Sequence, residues 1–138
     1  MPSDSEDIVV DTNILFSALL SARSDFSEIL LKSPHRFFIC EQVLVELFRR
    51  KEKLLKLSRL SETDLAHFYH VIIRRVTLFK EDLISTDNLV RAWELCRDID
   101  EEDTPHVALT LEVEGLLWTG DKRLKEGLQM KGFYHFFT

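Results

Sequence analysis

A chain of 138 residues with 45% hydrophobic content is long enough for one domain with one real core, and it contains neither an internal repeat nor a low-complexity segment. Its formal charge of −6 argues against a protein that grips nucleic acid through its overall field, though not against a local basic face. No basic start followed by an apolar stretch marks a signal peptide, and no apolar run reaches the ~20 residues of a spanning helix, so no membrane association is expected.

The opening MPSDSED, residues 1–7, is polar and acidic and reads as a short flexible leader, leaving 8–138 as a single domain. Ile8 to Val10 is apolar at every position, the pattern of a strand buried on both faces. A helix is expected from about Asn13, and a second in SDFSEILLK with Ser24 as its N-cap, before Pro34 ends the pattern. FFIC, Phe37 to Cys40, reads as a second strand. Val43, Leu44, Leu47, Leu54 and Leu55 then recur at helical spacing, which predicts one helix from Glu41 to Leu57. Ser61 caps a helix expected to reach about Arg75, and VTLF reads as a weak strand.

Thr86 to Ile99 is a further amphipathic helix, with Leu89, Val90, Trp93 and Cys96 along its apolar side. Asp103-Thr104-Pro105 is a strong helix start, with Asp103 as the cap. GLLWT reads as a strand, DKRLKEGLQMK as a short helix and FYHFF as a closing strand. Strands alternating with helices predict an α/β sandwich in three layers, with a central parallel sheet of about four or five short strands flanked by helices. Cys40 and Cys96 lie far apart in apolar segments and suggest neither a disulfide nor a zinc site, so buried thiols and a reducing, cytoplasmic compartment are expected.

In an open parallel sheet, ligands sit outside the carboxyl ends of the strands. Asp11 ends the first strand and Asp121 closely follows GLLW, so both point to that edge, and Asp103 at a helix start can face it too. Glu46 stands in the apolar VLVELF, where a lone acid is unfavourable unless paired or metal-bound. Each has an ordinary alternative: Asp11 and Asp103 as caps, Asp121 opening a turn, Glu46 paired with Arg49 or Arg50. Together, four acids at one edge would repel severely, a conflict that a hard divalent cation resolves. Oxygen-only ligands favour magnesium or manganese over zinc.

VVDTNILFSALL, VLVELF, DTPHVALTL and LLWTGDKRL resemble, in order and spacing, the acidic motifs of PIN domains, the metal-dependent ribonuclease fold of VapC-type toxins, in particular a prokaryotic toxin-like subgroup. The resemblance covers nearly the whole chain. It implies that Asp11, Glu46, Asp103 and Asp121 bind Mg2+ or Mn2+ and are the catalytic acids, with Asn13 and Thr119 orienting a carboxylate or a water. Asp103 is favoured as the third acid because it stands just before the apolar helix; Asp100 is the alternative. The resemblance further implies an endoribonuclease that hydrolyses phosphodiester bonds, the toxin half of a type II toxin–antitoxin pair, with an antitoxin protein as partner and a homodimer as assembly.

Lys122 and Arg123, beside Asp121, are the residues best placed for phosphate contact, and His106 is a weaker one. His67 and His70 have no third ligand nearby and read as surface residues. The basic run Arg49 to Arg59 reads first as a solvated helix face. Trp93 and Trp118 offer aromatic surface, but Trp118, inside a strand motif, is expected in the core. Two other functions compete. A magnesium-dependent phosphatase with Asp11 as nucleophile is disfavoured by Asn13, where haloacid-dehalogenase-like enzymes have a second Asp. A catalytically silent binding module of the same fold would not need four intact acids.

Overall fold

Ile8, Val9 and Val10 are fully buried, and strand β1 (Asp7–Val10) accordingly takes the interior of the sheet. The chain is represented by a computed structural model that describes residues 5–138, so the expected leader falls partly outside the described residues. β1 pairs in parallel with β2 (Arg36–Cys40) on one side, Ile8 opposite Phe37, and with β4 (Leu116–Trp118) on the other, Ile8 opposite Leu116. β3 (Val76–Phe79) pairs in parallel with β2 and forms one edge, giving the order β3-β2-β1-β4. The chain thus winds outward from β1 to β3, then crosses back to lay β4 on the opposite side of β1. The carboxyl ends of β1 and β4 flank the resulting switch point.

Helix α1 (Thr12–Leu20) packs against α2 (Asp25–Lys32), α3 (Glu41–Arg49), α4 (Lys51–Ser58) and α5 (Glu62–Ile73). On the remaining elements, α7 (Thr104–Val113) lies on β1, β2 and β4 and is covered by α6 (Thr86–Cys96). α7 buries five successive residues, His106 to Thr110, as a helix enclosed between sheet and helix should. The last helix, α8 (Lys122–Met130), follows β4. Four parallel strands flanked by helices give the expected α/β sandwich. No helix among the described residues is long and apolar enough to cross a membrane.

Several elements form as their end signals require. Ser24 and Ser61 each accept a hydrogen bond from a first-turn amide, at Ser27 and Asp64. Cys40 and Cys96 are buried, and desolvation pushes both thiols up to about 12, which leaves them unreactive. Trp118 is buried among Phe26, Phe37 and Phe137.

Four expectations are corrected. The helix expected over Glu41 to Leu57 is two helices, broken at Arg50 with φ −103° and ψ 12°. Leu54 stands seven positions after Leu47, about two turns, so the apolar spacing passes over the break unchanged. FYHFF contributes a single parallel bridge, Phe136 to Leu117, rather than a strand; Leu117 N–H donates to His135 and its carbonyl accepts from Phe137. On α6 the buried residues are Ala92, Leu95 and Cys96, while Leu89, Val90 and Trp93 (46% accessible) face outward. Asp103 makes no capping hydrogen bond.

β4 also needs close approach to β1. A Cβ on Gly115 would run into the Asp7 carbonyl oxygen and stand 3.0 Å from its carbonyl carbon, whereas one on Gly120 would meet nothing nearer than Ile14 Cδ1 at 3.9 Å. Gly115→Ala is therefore expected to destabilise the fold by about 1–3 kcal/mol. Urea unfolding should show a lower midpoint at unchanged slope, with Gly120→Ala as the near-neutral control.

Candidate metal centre at the carboxyl edge of the sheet

Pairing of β1 with β4 places Val10 opposite Trp118, and the next residues, Asp11 and Thr119, leave the sheet side by side. Asp11 N–H donates to the Trp118 carbonyl at 3.2 Å, so the register holds to the edge itself. The Asp11 carboxylate does what a capping residue does: Oδ1 accepts from Ile14 N–H at 2.9 Å. Asp121 repeats this for α8, with Oδ1 accepting from Leu124 N–H at 3.1 Å. Between them Thr119 joins the two acids. Its hydroxyl accepts from Asp121 N–H at 3.2 Å and donates to the Asp11 carboxylate. Capping and edge placement are therefore the same arrangement, since one oxygen of each acid serves its helix.

Asp103 arrives from the other direction. A short 3-10 turn, Glu101–Asp103, precedes α7, and Asp100 rather than Asp103 caps it, accepting from Glu102 N–H at 3.0 Å. Pro105 in the first turn of α7 has no N–H, which removes one of the donors that a capping Asp103 would use. The Asp103 carboxylate makes no hydrogen bond among the described residues. Burial, then the charges of Asp100, Asp11, Asp121 and Glu46, push it up to about 7. Burial also raises Asp11, with Asp121 adding to the rise, while the Thr119 and Ile14 hydrogen bonds oppose it.

Glu46 comes from α3, half-buried, and pairs with neither Arg49 nor Arg50 among the described residues. Its charge is felt at both Asp103 and His106. The fold thus brings Asp11, Glu46 and Asp121 within electrostatic reach of Asp103, as it does Asp100. No three acidic, His or Cys side chains among the described residues stand close enough to hold an ion as placed. The donor set nevertheless suits a hard cation: it is all oxygen, and among the described residues the Asp103 carboxylate has no hydrogen bond to hold it from one.

The remaining residues divide. Asn13 Oδ1 accepts from Arg50 Nη1 at 2.9 Å, so its side chain engages a guanidinium. Lys122 and Arg123 lie exposed in the first turn of α8 beside Asp121. His106 is buried, with Nδ1 3.5 Å from Cys40 Sγ, and burial holds it down to about 4, which makes it a neutral packing residue rather than a phosphate contact. His67 and His70 are exposed on α5, away from the acids in sequence and element. Sequence reasoning offered Arg50 as a partner of Glu46 and missed its contact with Asn13, for which the sequence carries no signal.

Asp103 and His106 give opposite pH dependences. A carboxyl raised in the folded state makes stability fall as pH rises from about 4 to about 7, whereas a depressed His makes it rise over pH 4 to 6.5. Asp103→Asn removes the first slope only. In chelator, its melting temperature relative to the unsubstituted chain should climb steadily over that range and level off above it.

A family model described as PIN domain matches residues 9–134. Comparison with curated proteins returned no match. The match takes in all four acids and runs from β1 through α8, the same stretch that builds the switch point, and the chain belongs to the PIN domain family, whose members are generally metal-dependent nucleases.

Proposed function

We propose that the chain is a metal-dependent endoribonuclease, with Asp11, Glu46, Asp103 and Asp121 holding one or two Mg2+ or Mn2+ ions. The observation that carries this reading is the meeting of Asp11 and Asp121 at the carboxyl edge of β1 and β4, through Thr119, with a partly buried Asp103 whose carboxyl is raised by burial and by the neighbouring acids. Among the described residues no Lys or Arg pairs with the four acids proposed as ligands, so a cation from solution would supply the compensating charge that the chain does not. The chemistry supplied by such an ion is Lewis acidity, which lowers the pKa of water and neutralises charge on phosphoryl oxygens.

The protein's own part is positioning. Thr119 fixes the Asp11 carboxylate by donating to it, and the caps at Ile14 and Leu124 hold Asp11 and Asp121 in place. Glu46 and Asp103 retain the freedom to close on an ion. Lys122 and Arg123, in the exposed first turn after Asp121, would meet the phosphate backbone of the RNA. Nucleophilic attack by Asp11 fits less well, because its carboxylate is buried and already engaged by Ile14 and Thr119.

The finer reading is the toxin of a type II toxin–antitoxin pair, VapC-like, acting in the cytoplasm. An apolar groove of about 410 Å³ between α3, α4 and α5, lined by Leu44, Leu47, Phe48, Leu55 and Tyr69, supports a partner that inserts apolar side chains. The outward-facing Leu89, Val90 and Trp93 support self-association as a homodimer. A co-encoded small protein that fails to bind the chain, or sedimentation that shows monomer alone at high concentration, would remove the corresponding claim.

Asp11→Asn keeps a capping oxygen but loses the charge. Calorimetry should show Mn2+ binding to the unsubstituted chain, with a higher melting temperature, and neither effect in the variant. RNA cleavage in Mn2+ should fall by at least about a hundredfold. Equal Mn2+ affinity in the two proteins would defeat the shared site.

A further inference from the structure

Arg50 is held in an unusual way. Its guanidinium carbon lies 4.6 Å from the centroid of the Phe16 ring, and Nη1 donates to Asn13 Oδ1 at 2.9 Å. Both partners are neutral. Glu46, four residues earlier on the same helix, is the natural mate for such an arginine, yet no ion pair forms. The helix breaks at Arg50, whose N–H still donates to the Glu46 carbonyl at 3.1 Å, and its side chain goes to the first helix instead. In a chain of net charge −6, a guanidinium fixed on neutral partners and paired with no carboxylate among the described residues is poised for an anion from solution.

Its location narrows the anion. Both anchors of Arg50, Asn13 and Phe16, lie on α1, which Asp11 caps, and Arg50 itself follows Glu46 by one turn. Lys53 Nζ is 6.0 Å from the same Phe16 ring, and Lys56 and Arg59 continue the exposed charge along α4, while Lys51 is engaged with Glu62 at 3.4 Å. Phe16 is buried and offers no face for a base to stack on, so the contact is with backbone and not with sequence. Positive charge repeated along a helix fits a polyanion better than a lone phosphate.

We infer that Arg50, clamped by Phe16 and Asn13, anchors a phosphate of a single-stranded nucleic acid, and that Lys53, Lys56 and Arg59 guide the strand away along α4. The inference rests on the nuclease reading for its purpose, but it concerns a strand-binding surface separate from the metal ligands. Of the five guanidinium donors only one is used by Asn13, so a bidentate contact to nonbridging oxygens remains open.

The test is fluorescence anisotropy with a labelled short single-stranded RNA in chelator, over a series of salt concentrations. Arg50→Gln should weaken binding about tenfold. It should also reduce the slope of log affinity against log salt by about 0.7. Arg50→Lys should restore the slope and only part of the affinity. Asn13→Ala, which loosens the clamp without removing charge, should weaken binding at unchanged slope. RNA of different sequence should be affected equally. Failure of the unsubstituted chain to bind RNA, or unchanged affinity and slope in a folded Arg50→Gln protein, would overturn the anchor. Arg50-dependent binding without cleavage in Mn2+ would instead count against the nuclease reading and leave the anchor standing.

Discussion

Parallel pairing to a strand buried on both faces is the constraint on which the rest depends. β1 can be apolar from Ile8 to Val10 only because β2 and β4 occupy both its edges and all three side chains are fully buried. The same pairing fixes where its polar successor emerges. Asp11 leaves the sheet beside Thr119, whose hydroxyl meets both the Asp11 carboxylate and the Asp121 amide. Sheet register, helix capping and the placement of two acids are thus one set of bonds seen from three sides.

Against this fixed pair stand two acids with little to restrain them. Asp103 sits on a turn whose cap is supplied by Asp100, and Glu46 lies on a helix whose arginine has gone elsewhere. Asp11 and Asp121 are tied to the edge by their helix caps, whereas Asp103 has no such bond among the described residues. The energetic tension is concentrated at Asp103, where burial and four neighbouring charges act in the same direction.

Much of this was legible in the chain. The all-apolar Ile8 to Val10, the acid that follows it, and the acid after GLLW could be read because burial on both faces leaves no polar residue until the strand ends. The departures are equally specific. Period analysis finds that α6 has an apolar stripe, but it carries two, and only packing decides that Ala92, Leu95 and Cys96 face α7 while Leu89, Val90 and Trp93 do not. The break at Arg50 leaves no trace in the apolar spacing and involves neither Pro nor Gly. Asp103 looked like a cap because Asp-Thr-Pro is a helix start; the preceding turn and the missing N–H of Pro105 release it for other use. The clamp on Arg50 joins residues 37 positions apart, a separation at which local pattern carries no information.

The capping bonds at Asp11 and Asp121 also bear on how such a chain can change over time. At both positions Asn can accept the same amide hydrogen bond and is as good an N-cap as Asp, so exchange of one for the other preserves the helix start while deleting a negative charge. Removal of charge from a crowded edge relieves repulsion, so the step is downhill for the fold even as it empties the edge of chemistry. A lineage of this fold can therefore exchange these two acids one at a time with both helix starts intact, and descend gradually into a scaffold of the same shape.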